Sequence, residues 1–264
     1  MRNPFERLRS LARWSGDDDD LAAEAALALA ALAGDPGLVV ACRRMLAHHP
    51  SNARLWWLLA HVLAAPDPNV AARQCRDALD GDRTADRLGA ALPLQDEGER
   101  LGVVGWTRTV DHAIAERPDL DVVAIKIDGA DPTWSLRGRS TDRPIRIIEP
   151  WECSTASVSQ VLIPVMAVDD RDAIVPAGVE ELLWEIGDST SVWLVAGLGV
   201  VLPRQLVDAL WRAVTDSSDD QALGAERLDF DRVARIVGSR GAEPLPDAVM
   251  GYDCPLPAEL LRPF

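Results

Sequence analysis

The chain has 264 residues, 48% of them hydrophobic, which is enough for one large domain or a small domain plus a medium one and excludes a disordered chain. Its formal charge is −15, from 27 basic and 42 acidic residues, and Lys126 is the only lysine. A nucleic-acid backbone is repelled by most of such a surface, so no direct nucleic-acid binding is expected.

At the N-terminus, Arg2, Arg7, Arg9 and Arg13 precede the apolar run 21–34 and imitate a secretory leader. Asp17, Asp18, Asp19, Asp20 and Glu24 interrupt the imitation, and the run after them is alanine-rich with helical spacing, so the expectation is a helix that is not exported. From residue 21 to about residue 90 the sequence reads as helices, with breaks at 34–37, 49–52 and 66–69 built from Gly, Pro, Ser, Asn and Asp. Ser51 or Asn52 is placed to cap the helix that carries Leu55, Leu58, Leu59 and Val62. No self-similarity near a 34-residue period appears, which favours a small bundle over a repeat array. Residues 1–92 are therefore read as an N-terminal helical domain.

An acidic, glycine-containing linker over 93–100 leads into a different texture. Short β-branched runs at 101–105, 122–127, 145–148, 161–165 and 192–196 alternate with helical segments at 110–116, 179–186 and 204–214. That alternation predicts βαβ units over 101–264: a Rossmann-like, doubly wound parallel sheet in an α/β fold. Ligands of such sheets sit beyond the carboxyl ends of the strands, which directs attention to 106–109, 128–130, 151–155 and 166–170. The apolar stretch 192–203 is too short to span a bilayer, so no membrane association is expected.

The segment Val103-Val-Gly-Trp-Thr-Arg-Thr-Val-Asp-His-Ala-Ile114 resembles the strand, Ser-Arg-Ser-Ser-Thr-Val, helix segment of the initiation factor 2B alpha, beta and delta subunits and of the related methylthioribose-1-phosphate isomerases. Thr107, Arg108 and Val110 fall in register. Residues 161–179 are similar to the family's Val-Ile-Val-Gly-Ala-Asp-Arg-Val segment and its Val-Val-Asn-Lys stretch, 192–196 to its Pro-Phe-Tyr-Val strand, and Asp253-Cys-Pro-Leu-Pro-Ala-Glu-Leu-Leu261 to its closing Phe-Asp-Val-Thr-Pro-Pro-Glu-Leu-Ile. The resemblance implies a homodimer. It also exposes departures. In the isomerases a cysteine after the first strand and the Asp of Gly-Ala-Asp-Arg transfer protons, whereas this chain has Trp106 and Thr107 in that loop and Met166 in place of the Asp. Ala167 replaces the Arg, and Pro176 and Ala177 replace an Asn-Lys pair. Methionine and alanine accept no proton, so no catalytic residue is assigned.

The candidate ligand-binding residues are Trp106, Thr107, Arg108, Thr109, Asp128, Cys153, Ser154 and Thr155. Thr107, Arg108 and Thr109 stand at a strand-to-helix junction, where amides, hydroxyls and a guanidinium can converge on a phosphorylated small molecule. The competing reading makes Thr107 a helix cap and leaves Arg108 in solvent. Gly102 and Gly105 belong to the strand and its end, without a third glycine to make a phosphate loop. Cys153 has no base at recognisable spacing and reads as a packed, inert thiol. His48, His49 and His61 lack acidic or thiolate company, and Cys42, Cys75, Cys153 and Cys254 form no CxxC pair, so no metal, no other cofactor and no disulfide framework is expected, and reduced thiols point to the cytoplasm. The acidic runs 169–172 and 216–220 read as solvated loops. Most of the nine tryptophans are expected in the core, with one or two on an interface. Two functions are expected from these residues: a non-catalytic module that senses a phosphorylated metabolite or nucleotide or binds protein, and, as the alternative, a sugar-phosphate isomerase-like enzyme working through other residues such as Arg108, Cys153 or Asp169.

Overall fold

Breaks in the alanine-rich first third set the helices. The computed structural model describes residues 4–14, 18–130, 132, 136, 144–216, 224–244, 247–249 and 253–262. Its first elements are α1 (Pro4–Leu11), α2 (Asp18–Ala30), α3 (Leu38–His48), α4 (Ala53–Ala64) and α5 (Pro68–Asp80). Asn52 caps α4, accepting from the Leu55 amide at 2.9 Å. Asp67 caps α5 from both the Asn69 and Val70 amides, and Pro68 at the first helical position gives up no hydrogen bond there. Leu21, Leu29, Leu46, Leu55, Trp56, Leu58 and Leu59 are fully buried among these helices, and the Trp56 indole donates to the Pro50 carbonyl at 2.9 Å.

The chain continues through α6 (Thr84–Ala91), β1 (Arg100–Val104), α7 (Arg108–Ala115), β2 (Val122–Ile125), β3 (Arg146–Ile148), β4 (Val158–Pro164), β5 (Ala167–Val168), β6 (Asp172–Pro176), α8 (Val179–Ile186) and β7 (Ser191–Ala196). After α9 (Arg204–Asp216) come β8 (Ala225–Asp229), β9 (Arg235–Gly238) and β10 (Gly241–Glu243), and α10 (Ala258–Leu261) closes the chain. The residues fall into two compact units. One comprises Met1–Asp82, Leu198–Ala222 and Gly251–Phe264; the other comprises Arg83–Gly197 and Leu223–Met250. In the first, α9 packs against α10 and α4, and Arg43 donates to the Glu259 carbonyl.

The second unit is built on a seven-stranded sheet in the order β10-β9-β7-β4-β1-β2-β3, parallel throughout except for β10. This is the α/β, mostly parallel architecture that the alternating runs predict. Central strands are buried along nearly their whole length, as expected where both faces are covered. On one face, Leu88 and Leu92 from the α6 end and Val110, Ala113 and Ile114 from α7 meet Leu101, Val103, Leu162, Trp193, Val195 and Val237. A second, antiparallel sheet, β5-β6-β8, is not anticipated by the sequence pattern. It corrects one expectation: residues 169–171 form the turn between β5 and β6, and Asp169 there is 1% exposed instead of solvated. Its Oδ1 accepts from the Arg171 and Asp172 amides at 2.7 and 3.0 Å, which ties the turn. Of the other acidic run, residues 217–220 lie outside the described residues.

Candidate binding site at the strand switch point

From β1 outward, the sheet runs β2, β3 to one side and β4, β7, β9 to the other, so the strand order reverses between β1 and β4. The crevice at that reversal lies outside the carboxyl ends of β1 and β4 and is where a doubly wound sheet receives a ligand. Gly105 comes after β1 with a φ of 62°, a left-handed turn that suits glycine and swings the chain toward α7. Trp106 is directed into the core at 6% exposure, and its indole Nε1–H donates to Asp111 Oδ1 at 2.9 Å. Asp111 is buried to the same degree, at 6% exposure, so this carboxylate is held inside the unit by the tryptophan. Thr107 is the N-cap of α7 and its hydroxyl accepts from the Val110 amide at 3.3 Å. Arg108 is exposed at the first position of the helix and Thr109 is half-buried.

The opposite lip is apolar. Val165 donates its amide to Val195 at 3.2 Å and Met166 to Ile174 at 2.8 Å, placing a half-buried methionine at the carboxyl end of β4. Beyond β2, Lys126 is exposed and anchored through its amide to Ile148, and Asp128 is exposed one residue before Gly129. A Cβ on Gly129 would stand 2.3 Å from the Ala177 nitrogen and 2.4 Å from the Gly224 oxygen, so only glycine lets this loop lie between the end of β6 and the start of β8. The Gly129 amide donates to Ala177 at 2.8 Å, and the Ala177 amide to Gly224 at 2.7 Å.

Cys153, Ser154 and Thr155 do not join this group. The Val158 amide bonds to the Cys153 carbonyl, and Arg100, the first residue of β1, donates through its backbone to Ser157 and through its guanidinium to Ala156. That turn therefore sits at the amino end of β1 and β4, the other end of the strands. Ser154 and Thr155 are exposed, while Cys153 is 1% exposed and burial, aided by the nearby Glu152 charge, pushes its thiol up to about 11. A thiol in that range is not a nucleophile at neutral pH. The structure thus brings together Thr107, Arg108 and Thr109 at the crevice, with Asp128 on the neighbouring loop, and separates the cysteine turn from them. Sequence reasoning missed Asp111 and Lys126. The first is invisible because a Trp and an Asp five residues apart carry no pattern; the second is the only lysine and stands directly after a strand, a signal that was available. Among the described residues no group of His, Cys, Asp and Glu is arranged to hold a metal ion, and no helix is long and apolar enough to cross a membrane.

A helical unit together with a doubly wound sheet of this order, with a small antiparallel sheet inserted after β4, defines an α/β protein of the initiation factor 2B fold. Solved structures carry the same architecture over nearly the whole chain. The translation initiation factor eIF-2B of Pyrococcus horikoshii is similar with a TM-score of 0.68 and 15% identity, over 95% of this chain and 100% of that one. The tetrameric eIF2B β2δ2 complex of C. thermophilum gives 0.64 and 14%, over 91% and 90%. The eIF-2B delta subunit of A. fulgidus gives 0.58 and 13%, over 94% and 90%. At these identities the likeness is one of fold. Comparison of the sequence with protein families and with curated proteins gives no match.

Proposed function

We propose that the chain is a non-catalytic module of the initiation factor 2B fold that assembles with a second copy of itself and takes a phosphorylated metabolite or nucleotide at the β1–β4 crevice. The observation that carries the reading is the composition of that crevice. The start of α7, with Arg108 exposed and Thr109 half-buried, offers hydrogen bonds and positive charge on one lip, and Met166 supplies no proton-transfer group on the other. The carboxylate nearest in sequence, Asp111, is engaged by the Trp106 indole, and Asp169 is engaged by the amides of its own turn. The start of α7 can hold an anion, and Asp128 on the neighbouring loop is the exposed carboxylate beside it.

Assembly is supported by two large exposed side chains. Trp151 and Trp184 are 67% and 79% exposed, and the 3-10 turn that carries Trp151 packs against α8, which carries Trp184. Exposed aromatic area of this kind is characteristic of an interface. The tetrameric neighbour shows that this fold can serve in an oligomer. Four buried free thiols suit a reducing cytoplasm.

Incubation of purified protein with a panel of phosphorylated aldoses tests the non-catalytic reading. The expected result is no ketose formation above the buffer background. Multiple turnover that disappears in Arg108→Ala would overturn it and establish an isomerase working through residues of its own.

A further inference from the structure

A pocket lined by arginines stands apart from the crevice, on the α6-covered face of the sheet near the β10 edge. A pocket of about 630 Å3 there is lined by Arg87 of α6, Trp193 of β7, Arg235 of β9, and Arg240 and Gly241 of the β9–β10 hairpin. Three arginines around one pocket are unexpected in a chain with 42 carboxylates against 27 basic residues. Arg240 bonds Glu243 at 2.8 Å and the Asp247 carbonyl at 2.7 Å, which fixes its guanidinium on the rim. Among the described residues neither Arg87 nor Arg235 has a carboxylate within ion-pair distance. The Arg235 guanidinium instead lies over the Trp193 ring, 5.8 Å from its centroid, and Trp193 is itself held by an indole bond to Ser191 Oγ at 3.1 Å. Arg87 reaches across to the hairpin: a Cβ on Gly241, whose φ is 126°, would stand 3.9 Å from Arg87 Nη1.

Like charges gathered on one concavity repel each other unless an anion lies between them. Guanidinium forks match phosphate oxygens in pairs, and a guanidinium laid on an indole loses less freedom when it binds. The volume falls in the range of small-molecule pockets, roughly 300 to 1,000 Å3. We propose that this pocket binds a small phosphorylated metabolite, with Arg87 and Arg235 gripping the phosphate and Arg240 closing the rim. The crevice opens at the carboxyl ends of β1 and β4, whereas this pocket is lined from β7, β9 and the β9–β10 hairpin, so the two sites are distinct and this one does not rest on the crevice reading.

Calorimetric titration with inorganic pyrophosphate at fixed ionic strength provides the test, using wild type, Arg87→Ala/Arg235→Ala and Arg108→Ala. Both arginines of the double variant are exposed, so the fold is expected to survive, and Arg87→Gln/Arg235→Gln repeats the loss of charge with side chains of closer length. Binding by wild type that is weakened at least about tenfold in both double variants is the expected pattern. Absence of binding by wild type overturns the assignment. So does equal affinity in the double variants, and so does a loss confined to Arg108→Ala, which would move the anion to the crevice.

Discussion

His61 illustrates what a single half-buried ring does to the pH response. It meets Trp57 edge to face, with ring centroids 4.8 Å apart, and its Nε2 is buried without a hydrogen-bond partner. Burial lowers its pKa below the ordinary 6.5, and the charge and backbone of Asp253 offset part of that shift. Because the folded pKa is the lower one, the unfolded chain takes up the proton first as pH falls. Stability is therefore intact above the ordinary histidine pKa and is lost progressively below it, until the folded pKa is passed. Urea unfolding at about pH 7.5 and about pH 5.5 should show a larger loss for wild type than for His61→Gln, since only the first has this titration; equal losses would contradict the account. At this scale the sequence is legible where a local rule applies. Thr107 sits between a strand and a helix and can be assigned as a cap without coordinates. Asp169 cannot: four polar residues in a row look solvated, and only the pairing of β5 with β6 buries the first of them.

At the scale of elements, helix ends carry readable chemistry. Asn52 is buried at 5% exposure, and the Leu55 amide donates both to its side-chain oxygen at 2.9 Å and to its backbone carbonyl at 3.1 Å. Asn52→Ala is expected to cost about 1 kcal/mol, seen as a lower urea midpoint with an unchanged slope. A change below the error of the measurement would show that the cap contributes nothing. The same logic makes Pro68 legible at the start of α5. The parallel strands β1, β2, β4 and β7 are legible because full burial writes continuous β-branched runs into the sequence. β5, with two residues, and β8, with three charged residues among its five, are not, because their identity comes from the partners they meet: β6 pairs with both. Arg235 of the proposed pocket is unreadable for a related reason. Arg235 lies beside Trp193 only through the parallel register of β7 and β9.

For the molecule as a whole, the change of texture near residue 93 marks the passage from helices to alternating strands. The return of α9 and the closing segment to the helical unit leaves no trace in composition. It is visible only in contacts such as that of Arg43 with the Glu259 carbonyl, and in the proximity of His61 to Asp253. The resemblance of the segments after β1, around β4 and at the C-terminus to one family is legible in their order along the chain, and the fold agrees with it over 95% of the length in the Pyrococcus horikoshii comparison. The central claim is an assembling, ligand-taking module, and native mass spectrometry of the purified protein tests it most directly, since one spectrum reports both subunit number and retained small molecules. The account predicts a species of twice the 28.6 kDa chain mass, with a phosphorylated adduct when the ligand survives purification. A monomer at every protein concentration, with no adduct, would contradict it.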